Sequence, residues 1–225
     1  MIKTKLIVLV LFVFSSFAAE SQSVIVMPRR GYTYHPRGHN QKPPQSQKKQ
    51  TLPKFTPSLN IYLGYGFPNL DKYQLASGIN NAYVGNITQN GPFAGSIDYR
   101  FSRNMGIGVL VTNGQVNAPY YNYYSGKKDY NASLDNWSVM LNLMNYIPVN
   151  STKVTPYFRT AIGVNIWNQN YTDASDNKLN SIYTPTDLAY QISLGSSVNI
   201  TKSFGFFGEV GYGKYILLGG LCLKF

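Results

Sequence analysis

From residue 57 onward, apolar and polar positions alternate with period two, segment after segment. Leu59, Ile61, Leu63 and Tyr65 alternate with Ser58, Asn60, Tyr62 and Gly64. Phe93, Ile97, Tyr99 and Phe101 alternate with Ala94, Ser96, Asp98 and Arg100. Further apolar sets are Ile107, Val109 and Val111; Trp137, Val139, Leu141 and Leu143; and Phe158, Ile162, Val164 and Ile166. Leu188, Tyr190, Ile192, Leu194, Val198 and Ile200 follow, then Phe204, Phe206, Val210 and Tyr212, and finally Tyr215, Leu217, Leu221, Leu223 and Phe225. This period belongs to a strand with one apolar face. Each segment is about ten residues, enough for a tilted strand to cross a hydrocarbon layer.

Eight such strands predict a closed antiparallel barrel, but alternation alone fits a soluble barrel turned inside out. Three features favour the membrane form. Connections alternate in length, long at 68–91, 117–132 and 167–185 and short at 102–104, 147–153 and 201–203. Long loops on one side and short turns on the other are typical of outer-membrane barrels. The strand charges Asp98, Arg100, Arg159, Glu209 and Lys224 share the parity of small residues such as Ala94, Ser96, Ala161, Gly163, Gly205 and Gly211. A narrow lumen calls for that mixture, with the five charges expected to pair as a lumenal ion network. Aromatics gather near the strand ends, at Tyr65, Tyr99, Phe101, Trp137, Tyr146, Phe204, Tyr212 and Phe225, where headgroups would meet them.

The last segment closes on Phe225, and a final strand paired with the first would leave no sheet edge. Gly220, Leu223 and Phe225 are similar to the terminal assembly signal of bacterial outer-membrane barrels; Leu218 departs from it, a polar residue being more usual there. Over residues 57–225 the chain resembles the small outer-membrane barrel family typified by the eight-stranded OmpA- and OmpX-like proteins. Within that group its likeness is greatest to PorT-like barrels of Bacteroidetes type. The resemblance implies an all-β, eight-stranded antiparallel transmembrane β-barrel in the outer membrane, surrounded by lipid and inserted by the barrel-assembly machinery. It implies no single activity, since such barrels include adhesins and assembly subunits.

The amino-terminal region reads differently. Lys3 and Lys5 precede an apolar run from Leu6 to Phe14 and then small residues, the layout of a signal peptide over residues 1–19. Cleavage is expected after Ser16-Phe17-Ala18 or Ala19-Glu20-Ser21. The net charge of +11 invites a nucleic-acid reading, but the excess sits in residues 20–56, at Arg29, Arg30, Arg37, Lys42, Lys48, Lys49 and Lys54. The rest is nearly balanced, so no nucleic-acid partner is expected. Pro28, Pro36, Pro43, Pro44 and Pro53 among Gln and Lys predict a flexible periplasmic linker. Contact of this basic tail with anionic cell wall or headgroups is a second reading beside a plain solvated linker.

Candidate chemistry is sparse. His35 and His39 are the only histidines, both in the linker, and two ligands do not make a metal site. Without a histidine in the barrel, Asp98, Glu209 and Cys222 lack the partner that barrel hydrolases and acyltransferases need, so no catalytic site, metal or cofactor is expected. Cys222 reads as lumen filler and has no second cysteine to pair with. The sequons at Asn86, Asn131, Asn136, Asn150 and Asn199 carry little weight, since a bacterial barrel need not meet that glycosylation machinery. Two non-catalytic functions remain. Tyr120, Tyr121, Tyr123 and Tyr124 around Asn122, followed by Gly126, Lys127 and Lys128, are either a partner-binding loop of a scaffold subunit or adhesin, or an extension of the aromatic girdle. A small-solute channel is the other function, disfavoured because eight strands enclose only a side-chain-filled interior.

Overall fold

The computed structural model describes residues 55–75, 78–79, 82–149, 151, 153–180 and 184–225. The expected leader, nearly all of the expected basic linker with His35 and His39, Ala76 in the connection expected at 68–91, and the Asn150 sequon lie outside them. The described chain is β1 (Ser58–Asn69), a 3-10 turn η1 (Leu70–Gln74), β2 (Gly78–Ile79), β3 (Ala82–Val84), β4 (Thr88–Arg100) and β5 (Met105–Asn122). Then come β6 (Lys128–Tyr146), β7 (Val154–Asp173), β8 (Lys178–Leu179), β9 (Leu188–Asn199), β10 (Phe204–Tyr212) and β11 (Tyr215–Lys224).

Eight of these strands close a ring in the order β1-β4-β5-β6-β7-β9-β10-β11, every pairing antiparallel, with β11 returning to β1. Closure removes the edges that an open sheet would leave unpaired. Leu63, Ile97, Val109, Leu141, Val164, Leu194, Val210 and Leu221, one from each strand, all point outward and stand exposed, Leu141 at 66%. A continuous apolar belt of this size would associate in water and is at home only in lipid. The protein is a transmembrane β-barrel.

Aromatic rings edge the belt on both sides, Tyr99, Phe101 and Phe225 at the short-turn end and Tyr65, Phe93, Trp137 and Tyr212 at the long-loop end. Tyr146 and Tyr215 depart from the outward sets expected of them. Both are buried in the lumen: Tyr146 shares the inward, even parity of Met140 and Met144 on β6, and Tyr215 turns in because β11 breaks parity where Ile216 and Leu217 are exposed in succession. Leu218, the departure from the terminal pattern, also turns inward and joins the lumenal cluster.

The connections differ from the loop lengths expected at 117–132 and 167–185, which are largely strand. β5 and β6 are joined only by residues 123–127, and β7 runs on to Asp173. There the Asp173 carboxylate accepts the Asn177 side-chain amide at 3.0 Å and the Asn177 and Ser175 backbone N–H groups at 2.8 Å each. These bonds, the Asn177 amide foremost, hold its carboxyl below the usual range. At the last hairpin Gly213 sits at φ 140°, a conformation side chains resist, allowing a two-residue turn between Tyr212 and Tyr215.

Candidate functional site

The lumen is filled at two levels. In the first, Arg159 lies wholly buried between Asp98, 3.4 Å away, and Glu209, 3.3 Å away. Glu209 also accepts hydrogen bonds from Tyr157 (2.8 Å), Tyr215 (2.9 Å) and Ser193 (2.7 Å). Asp98 accepts from Ser96 at 2.8 Å and from the Asn142 amide. The Arg159 guanidinium also faces the Tyr62 and Tyr157 rings, 5.3 and 5.8 Å from their centres. Gly195 makes this packing feasible, since a Cβ there would come 2.7 Å from both Glu209 and Tyr157. Buried charge is tolerable only with such dense pairing.

Of the five charges expected to form one network, Asp98, Arg159 and Glu209 meet. Arg100 and Lys224 do not join them. Arg100 turns to the short-turn end, where it donates to the Ser102 carbonyl and stacks 4.1 Å over Tyr146, and Lys224 stands exposed there. Both sit at the strand termini, where backbone carbonyls and the Tyr146 ring receive Arg100 and water solvates Lys224. Between them and the network a void of about 20 Å³ remains, room for about one water.

The second level has no counterpart in the sequence reading. The η1 turn folds over the mouth and places Asp71, capped by the Asn69 side chain at 3.0 Å, against Lys214 from the last hairpin. Asn136 donates to Asp71 at 3.0 Å, and Asn165 accepts from Lys214 at 3.1 Å and Ser138 at 2.7 Å. Leu70 N–H bonds the Lys214 carbonyl at 3.1 Å. A lysine in a tight turn reads as solvent-facing, so only the folded loop reveals this pair.

Beyond this plug, β5, β6 and β7 continue as a projecting sheet. The belt ends along the paired row Asn113, Trp137 and Ile166. Past it the outward residues are polar: Gln115 and Asn117, Asp135 and Ser133, Asn168 and Asn170. The apolar residues switch to the opposite face, where Val116, Ala118, Leu134, Ala132 and Tyr171 are buried. Ala82, Val84, Ile87 and Leu179 close a small second core there. The phase change is written in the chain, Val109 and Val111 being odd and Val116 and Ala118 even; it marks where strands leave lipid.

This placement divides the tyrosine cluster. Tyr120, expected to meet a partner, is 1% exposed and stacks on Tyr130 with centres 4.4 Å apart. Its parity with Ala118 puts it in the core, a correction to the partner-binding set. Tyr123 and Tyr124 are open at the tip, Tyr124 at 86%. Tyr121 stacks on Tyr83 at 5.8 Å, and Tyr83 approaches Tyr123 at 5.1 Å. Tyr83, in the first loop, is a member the sequence reading lacked.

Comparison by sequence finds no matching family model and no matching curated protein. Among solved structures, the chain is similar to a de novo designed transmembrane β-barrel, with 15% identity and TM-score 0.39 over 75% of this chain and 95% of that one. It is also similar to Ail, the attachment invasion locus protein of Yersinia pestis, solved with the heparin analogue sucrose octasulfate. There the identity is 12% and the TM-score 0.41, over 76% of this chain and all of that one.

Proposed function

We propose that this chain is a non-catalytic outer-membrane barrel that serves as a binding or scaffold subunit, holding a protein partner at its projecting tip. The observation that carries this reading is the cluster of Tyr83, Tyr121, Tyr123 and Tyr124 on a sheet with its own core. Aromatic contact area mounted on a stiff support loses little entropy on binding, which is the economy recognition surfaces use. Outer-membrane placement is supported by the belt, the even strand number and the signal-like leader, and PorT-like kinship by the terminal Gly220, Leu223 and Phe225. Both lumenal carboxylates are saturated by hydrogen bonds and Arg159, which favours a structural role for them. The filled lumen weighs against a solute channel.

A photo-crosslinking residue at position 124 in living cells tests this. The expected result is one dominant protein adduct, lost when Tyr121 and Tyr123 become serine. An adduct with another protein of the same membrane fits the subunit reading, and one formed only when a second cell type is present fits an adhesin. No protein adduct from the tip, or steady conductance in planar bilayers, overturns the proposal.

A further inference from the structure

Charge is mixed at the long-loop end, where Lys72, Lys127, Lys128, Lys178 and Lys214 stand beside acidic residues, and of one sign at the short-turn end. Apart from Asp98 and Glu209 in the lumen, the described acidic residues, Asp71, Asp129, Asp135, Asp173, Asp176 and Asp187, all lie at the long-loop end. The short-turn end carries Arg100, Arg103, Lys153, Lys202 and Lys224, with no acidic side chain among the described residues. Solubility needs no such sorting. A rim of one sign concentrates counter-charge instead.

Three of these residues share one feature. Lys153, Lys202 and Lys224 border an open depression of about 560 Å³ completed by Asn199, Thr201 and Ile200. None of the three has an acidic partner among the described residues. Their backbones are fixed. The Lys153 carbonyl accepts the Asn199 N–H at 2.7 Å, and the Lys224 N–H donates to Ser203 at 2.9 Å. The turn carrying Lys202 is closed by Thr201, whose hydroxyl accepts the Phe204 N–H at 3.0 Å. Only the lysine side chains remain to be ordered on binding.

The wall of the depression is chemically divided. Ile200 is 62% exposed and continues the outward apolar column of Leu194 and Val198, so one side belongs to the lipid-facing belt. The other side presents ammonium groups and the amide and hydroxyl of Asn199 and Thr201. A hydrated vestibule for a free anion would be polar all round. A site with an apolar flank below and cations above matches a molecule with an acyl chain below and a phosphate above. Ammonium groups suit a phosphate as mobile point charges that demand no fixed fork geometry. A zwitterionic headgroup brings its own ammonium into that field and is disfavoured.

We propose that Lys153, Lys202 and Lys224 form a binding site for the headgroup of an anionic phospholipid in the leaflet at the short-turn end. The site needs the barrel to span a membrane and nothing of the tip reading, so it can stand where the crosslinking experiment finds no partner.

Native mass spectrometry of the full chain in neutral detergent, titrated with phosphatidylglycerol or phosphatidylcholine, tests it. The wild type is expected to retain phosphatidylglycerol on the order of tenfold more tightly. Lys153→Gln/Lys202→Gln/Lys224→Gln should bring the two lipids within about twofold, with folding verified by heat-dependent gel mobility. Should the triple variant misfold, Lys202→Gln alone, in an exposed turn, should still lose at least about half of the preference. A chain with Arg29, Arg30, Arg37, Lys42, Lys48, Lys49 and Lys54 all changed to Gln should keep it. Retained preference in the folded lysine variants, or loss only in that tail variant, overturns the proposal. So does displacement of the lipid by millimolar inorganic phosphate, which would make this a simple anion site, or by a soluble anionic cell-wall polymer.

Discussion

Phe225 and Leu59 exchange both of their backbone hydrogen bonds, Phe225 N–H to the Leu59 carbonyl at 2.8 Å and Leu59 N–H to the Phe225 carbonyl at 3.0 Å. Phe225 is therefore part of the seam that closes the ring. The register continues through Leu223 opposite Ile61 and Gly220 opposite Gly64, where a Cβ on Gly220 would strike the β1 backbone. Deleting Phe225 removes one closing pair and the residue that ends the proposed assembly signal. The expected outcome is protease-sensitive protein that fails to show a heat-dependent shift in gel mobility. Normal mobility and protease resistance would show that closure and recognition by the assembly machinery do without it.

Arg159 is the residue whose loss should cost most in the lumen. Arg159→Met leaves Asp98 and Glu209 buried without their counter-charge, at about 3–5 kcal/mol. The unfolding midpoint, followed by gel mobility, should fall accordingly. Replacing all three charges together by apolar residues of similar volume should recover only part of the loss, since it removes the orphaned carboxylates but leaves the Tyr157, Tyr215 and Ser193 hydroxyls without their acceptor. An unchanged midpoint in Arg159→Met would exclude the network from stability.

How far this architecture was legible depended on whether a feature obeyed alternation. The eight strands follow from period two, and so does the inward placement of Asp98, Arg159 and Glu209, around which the alternation is unbroken. Tyr215 was misplaced because β11 slips parity at Ile216 and Leu217. Tyr120 was misplaced although the signal existed: the apolar phase reverses between Val111 and Val116, and the tyrosine run hid it. Asp71 and Lys214 carry no local signature, since one follows the periodic part of β1 and the other occupies a turn. Their contact exists only because η1 folds inward.

That contact is testable as a coupling. Asp71→Asn and Lys214→Met each break the plug pair and should lower the midpoint, while the double variant should cost less than the two losses added. Contacting residues typically couple by about 0.5–3 kcal/mol. Limited proteolysis provides a second measure, because Thr186 N–H bonds the Gln74 side chain at 3.1 Å and ties the β8–β9 connection to η1. Faster cleavage near residues 184–187 is expected in either single variant. Strict additivity, with unaltered cleavage, would mean that the pair does not hold the loops.

The tip should separate into structural and recognition tyrosines. Tyr120→Ala opens a cavity beside Tyr130 and should destabilise the projecting sheet by about 3–5 kcal/mol, the range for a large buried aromatic. Tyr124→Ala removes an exposed ring and should leave stability within about 0.5 kcal/mol. Hydrogen exchange resolves the two, with protection expected to fall across residues 116–134 in the first variant and to stay unchanged in the second. Equal effects would erase the distinction.

Orientation is the remaining prediction, and charge and loop length support the same answer. A long-loop end with a folded tip is expected outside, and a basic short-turn end, where Phe55 lies 5.7 Å from the Arg100 guanidinium and the chain enters β1, is expected in the periplasm. Single cysteines at Tyr123 and Asp176, in a Cys222→Ala background, should react with an impermeant thiol reagent on intact cells. Cysteines at Arg103, Ser151 and Lys202 should react only after the outer membrane is opened. The background substitution is mild, because Cys222 is a small buried residue of the lumenal cluster whose thiol makes a long 3.8 Å hydrogen bond to the Phe206 carbonyl. Labelling at Arg103 on intact cells with silence at Tyr123 would invert the barrel. The tyrosine tip would then face the periplasm, and any partner would have to be sought there.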